Sequence, residues 1–90
     1  MASDEQAGER APKPAGEIRR ARDLAKKAGR LARDIAATED AVAETMDGLA
    51  DTHSDDAAFY QVLAEHARDN AARERRHAAD CDREAREGGA

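Results

Sequence analysis

Ninety residues with a mass of 9.7 kDa leave room for one small domain and exclude a multidomain enzyme. Twenty-three of the residues are alanine, which leaves thirteen larger apolar side chains to build a core. Alanine buries little area against the entropy of ordering a chain, so a thick core is excluded as well. Charged residues make up 39% of the chain, the net charge is -5 and the mean hydropathy is -0.93. No apolar run approaches the ~20 residues of a membrane span, and a single cysteine excludes an intrachain disulfide.

Residues 1–15 hold both prolines and acids at Asp4, Glu5 and Glu9, with no large apolar residue after Met1. This composition predicts a disordered arm and no secretory leader, hence a cytoplasmic protein. The alanine and arginine usage fits a GC-rich bacterial genome. Residues 16–87 lack proline and are dominated by alanine, arginine and glutamate, which predicts an all-α domain. Gly88-Gly89-Ala90 reads as a helix stop and a frayed tail.

Within the domain, Leu24, Ala28, Leu31, Ile35, Thr38, Val42, Met46 and Leu49 recur at helical spacing without a phase jump, predicting one helix over 16–50. Thr38-Glu39-Asp40 resembles a cap and is the one place for a kink; a bend there would give a three-helix monomer instead. The cluster Asp51-Thr52-His53-Ser54-Asp55-Asp56 predicts a turn and the start of a second helix over 55–86. Its stripe is Phe59, Leu63, His66, Asn70, Glu74, His77 and Cys81. A turn centred between Thr52 and His53 pairs residues whose numbers sum to 105, which brings both stripes into phase as the seam of an antiparallel hairpin. On this reading Leu24, Leu31, Ile35, Val42, Met46, Leu49, Phe59 and Leu63 carry the fold. Alanines run beside them and leave close-approach surfaces, so two hairpins are expected to pair as a homodimeric four-helix bundle.

Thr38, Glu39, His66 and Asn70 are expected to form a polar layer that fixes register on the seam. Glu74-Arg75-Arg76-His77 is an E-x-x-H, and Glu44 lies thirty residues before Glu74. Together they resemble the half-site of ferritin-like di-iron proteins, including short encapsulated ferritins that dimerise to complete the site. The resemblance implies iron binding by Glu44, Glu74 and His77 in a dimer. It conflicts with the hairpin, which separates Glu44 from Glu74 by thirteen residues of rise, ~20 Å. His77 and Cys81 have the i, i+4 spacing of two zinc ligands but no complement elsewhere in the chain. No nucleophile elbow, P-loop or glycine-rich phosphate cradle is present, so no catalytic residue and no cofactor is assigned.

Charge is unevenly placed. Residues 10–33 carry nine Lys/Arg against Glu17 and Asp23, a net of +7, whereas residues 34–69 carry ten acids against Arg68, a net of -9. Arg19, Arg22, Lys26, Arg30 and Arg33 recur on the side away from Leu24 and form the expected outward contact surface, suited to an acidic partner or to a second copy. The expected function is therefore a non-catalytic, self-associating binding or scaffold protein. Iron binding by a dimer is one alternative. Electrostatic docking on nucleic acid is another, disfavoured by an acidic chain with one Phe, one Tyr and no Trp to stack on bases.

Overall fold

A computed structural model describes residues 14–87, and the predicted arm up to residue 13 and the tail 88–90 lie outside them. Two long helices, α1 over Ala15–Thr52 and α2 over Ala57–Glu87, pack along each other, joined by His53 and a single 3-10 turn over Ser54–Asp56. The all-α hairpin is as expected, and α1 runs through Thr38 without a break. There the Thr38 hydroxyl donates to the Asp34 carbonyl within the helix, at 3.1 Å, and caps nothing. At 1.5 Å per residue α1 is ~57 Å long, and α2 lies along it as the second arm of a rod.

Composition accounts for the helix lengths, since neither helix contains proline and alanine, arginine and glutamate prevail. Pro14 precedes the first turn of α1 and accepts the backbone N–H groups of Glu17 and Ile18. At the other end the His53 backbone N–H closes on the Leu49 carbonyl at 2.8 Å, and the Thr52 hydroxyl donates to the Gly48 carbonyl at 3.1 Å. Asp56 N–H then reaches the His53 carbonyl at 3.0 Å, turning the chain into α2. The His53 ring lies 5.9 Å from that of Tyr60, closing the corner with an aromatic contact.

The seam itself departs from expectation. Its buried residues are Ala25, Gly29, Ala32, Ala36, Ala43 and Ala50 on α1, and Ala64, Ala67, Ala71, Ala78, Cys81 and Ala85 on α2. Leu24, Leu31, Ile35, Val42 and Phe59 are exposed instead, Leu24 by 65% and Leu31 by 60%. Met46 packs at the edge of a cluster formed by Ala43, Ala64 and Ala67, and Leu49 and Leu63 are half-buried. The physical reason is size: the large and the small apolar stripes both repeat every seven residues, and the small one permits the closer approach of the helices. Gly29, Ala36, Ala43 and Ala50 recur every seventh position, as do Ala57, Ala64, Ala71, Ala78 and Ala85. A repeat of 3.5 residues per turn keeps one stripe facing its partner along the full length of two supercoiled helices. Small side chains on that stripe let the backbones approach closely. A Cβ built on Gly29 would stand 3.6 Å from the Ala78 carbonyl oxygen and 3.5 Å from the Cys81 Cβ.

Such a seam is dry but thin. Burying an alanine methyl stabilises by about 0.8 kcal/mol, against roughly 1.5–3 kcal/mol for a leucine. The ten buried alanines therefore contribute far less than ten leucines would, and the larger apolar groups remain outside.

Candidate interaction surface

Because the seam uses a heptad stripe, each helix has two flanks beside it, and an antiparallel pairing places like flanks together. On one flank, residues 33, 40 and 47 of α1 face residues 82, 75 and 68 of α2, each set stepping by seven. Arg33 Nη1 donates to Asp82 Oδ2 at 2.8 Å, Arg75 pairs with Asp40, and Arg68 pairs with Asp47. The partners' numbers sum to 115 in all three pairs, so this ladder reports one constant register. These side chains are about half exposed, so each pair is worth at most ~1 kcal/mol. The ladder's sequence signal is charge repeating every seven residues in both helices.

The opposite flank carries both stripes assigned to the seam from sequence. Ala28 and His77 line one groove there, together with Leu31 and Glu74, and both pairs have numbers that sum to 105. Across the seam, however, Gly29 meets Ala78 and Cys81, sums of 107 and 110, so the helices are staggered by a few residues from the expected register of 105. Ala32 and Ile35 complete the lining of this open depression of about 280 Å³. Its floor is made of small residues (Ala28, Ala32), with Leu31 and Ile35 on one wall and Glu74 and His77 on the other. Further along, the same flank carries Val42 and Leu49 from α1 with Phe59 and Leu63 from α2. Phe59 is 61% exposed and stacks obliquely on Tyr60, ring centroids 5.5 Å apart.

The residues assigned to a polar layer separate. Asn70 Nδ2 approaches Glu39 Oε2 at 3.5 Å, and both are half-buried. Thr38 and His66 are exposed; His66 lines a shallow polar depression with Asp69, Asn70 and Arg73 on the apolar flank, where Arg73 donates to the Asn70 side-chain oxygen. The residues drawn together by the di-iron resemblance are also apart. Glu44 and His77 are exposed, Glu74 is half-buried, and no group of three or more His, Cys, Asp or Glu side chains suited to a metal ion occurs among the described residues. His77 Nε2 and Cys81 Sγ stand 3.7 Å apart, an i, i+4 contact of two groups with the sulfur buried in the alanine seam.

Of the basic row, Arg19, Lys26 and Arg30 are exposed, and Arg33 is engaged with Asp82. Arg22 is half-buried, and its Nε lacks a hydrogen-bond partner. Arg20 and Lys27 are exposed as well, so the open end of the rod is a basic collar. The turn end carries Asp51, Asp55 and Asp56, all exposed. No helix among the described residues is long and apolar enough to cross a membrane. Comparison of the chain with protein-family models, with curated proteins and with solved structures finds no match.

Proposed function

We propose that this protein is a non-catalytic helical module that associates with itself through its broad apolar flank, acting as a scaffold or binding element. The observation that carries the reading is the placement of Leu24, Leu31, Ile35, Val42 and Phe59 outside a hairpin whose own seam is already filled by alanine. Contiguous exposed apolar surface of this kind marks an interaction site. From Leu24 to Leu49 the flank covers ~38 Å of helix. Pairing two such flanks gives a four-helix bundle with large side chains inside and alanine seams within each half.

Light scattering on a sizing column tests this directly. The expected mass is twice the 9.7 kDa of the chain, falling to the single-chain value in Leu31→Glu. A single-chain mass at millimolar concentration in the unaltered protein overturns the reading.

A further inference from the structure

We infer that the groove lined by Ala28, Leu31, Ala32, Ile35, Glu74 and His77 is the receptor for Phe59 and Leu63 of a second copy, laid antiparallel so that its acidic turn meets this copy's basic collar. This rests on the self-association proposed above and specifies its geometry.

The first argument is shape. The apolar flank has two dissimilar halves. Toward the turn both helices contribute large groups, Val42 and Leu49 from α1 and Phe59 and Leu63 from α2, and Phe59 protrudes. Toward the open end only α1 does so, and the alanine floor leaves a hollow of about 280 Å³. A hollow and a protrusion on one face complement each other when a second copy is rotated by a two-fold axis perpendicular to the rod. The axis falls near the level of Asp40, midway between groove and protrusion, and one operation fills both grooves. This is the isologous contact that closes as a dimer and leaves no apolar end to recruit a third copy.

Charge gives the second argument, independent of the first. The same operation brings Lys27 of one copy toward Asp51, Asp55 and Asp56 of the other. Pairing with the two turns side by side would instead oppose two segments that each carry a net of -9 over residues 34–69. Like charges across a contact disfavour that orientation, and opposite charges select the antiparallel one. Shape and charge therefore choose the same arrangement.

The test uses the full chain with Cys81→Ala and Ser54→Cys, a nitroxide on the new thiol and pulsed dipolar spectroscopy. In the antiparallel dimer the two turns lie at opposite ends, and the labels are expected ~40 Å apart from the helix rise. A dimeric mass with labels closer than ~25 Å overturns the antiparallel geometry while leaving self-association standing. A single-chain mass at the same concentration overturns both. Phe59→Ala is expected to weaken dimerisation about tenfold or more; an unchanged dissociation constant removes Phe59 from the groove.

Discussion

Arg33 donates to Asp82 across the open half of the seam at 2.8 Å, and its charges run opposite to those of the other two rungs, Asp40–Arg75 and Asp47–Arg68. The inversion matters because an alanine stripe that repeats every seven residues is nearly blind to a slip of seven. Sliding α2 by one heptad in one direction sets Arg33 against Arg75. Sliding it in the other sets Asp40 against Asp82. Either slip costs a like-charge contact that the observed register avoids.

Reversing one end of the odd rung tests this role. Asp82→Arg is expected to lower stability by up to ~1 kcal/mol at low salt and by much less at 1 M, because the pair is half exposed and screened. Combining it with Arg33→Asp is expected to restore most of the loss. Thermal melts at two ionic strengths measure both effects; a loss independent of salt would assign the cost to packing.

Size at the seam is the second prediction. Ala64 and Ala71 are fully enclosed, each at 0% exposure. Ala71→Leu is expected to push the helices apart and cost ~1–3 kcal/mol or more. Leu31→Ala, at low concentration where the chain is a single hairpin, is expected to change stability by ~0.5 kcal/mol or less, since the side chain is exposed. Urea denaturation of the two variants should therefore rank them opposite to their ordinary hydrophobicity. The reverse ranking would restore a leucine seam.

Gly29 allows a finer comparison. A Cβ there meets the Asp82 carboxylate tip at 2.9 Å and otherwise makes ordinary contacts. Gly29→Ala gains ~1 kcal/mol of helix propensity and displaces the tip of one exposed pair worth less than that. The expected outcome is a neutral to slightly raised Tm. Gly29→Leu has no such room, and a fall of several degrees or more is expected by calorimetry.

Cys81 occupies an alanine-type position on the stripe, buried and beside His77. Cys81→Ala is expected to cost less than ~1 kcal/mol, because the replacement matches the rest of the seam. The thiol of the unaltered protein should react slowly with a thiol reagent until urea opens the hairpin. Fast labelling under native conditions would mean that the seam opens near Ala78 and Cys81.

Helix type and the antiparallel hairpin were legible in the residues, because periodicity and cap composition act locally; the register was not, since α1 runs through Thr52 and the turn falls at His53–Asp56, a few residues beyond the expected centre. Period alone does not locate the seam, because the large groups repeat every seven residues (Leu24 and Leu31; Ile35, Val42 and Leu49) as strictly as Gly29, Ala36, Ala43 and Ala50 do. What separates the two stripes is side-chain size, since only the small one lets two backbones approach closely. The charge ladder is legible as charges repeating every seven residues in both helices. The groove was not legible, since it depends on which side of the stripe the large residues fall once the backbones are in close contact.

The mirrored sevens have a consequence for length. Every heptad of α1 has its counterpart at equal remove from the His53–Ser54 bond, so the hairpin behaves as a ruler graduated in matched steps. Excising residues 36–42 together with 65–71 removes one graduation from each arm and keeps the stripe of small residues in phase on both sides. A shortened rod, lacking ~10 Å, should still zip from the corner outward.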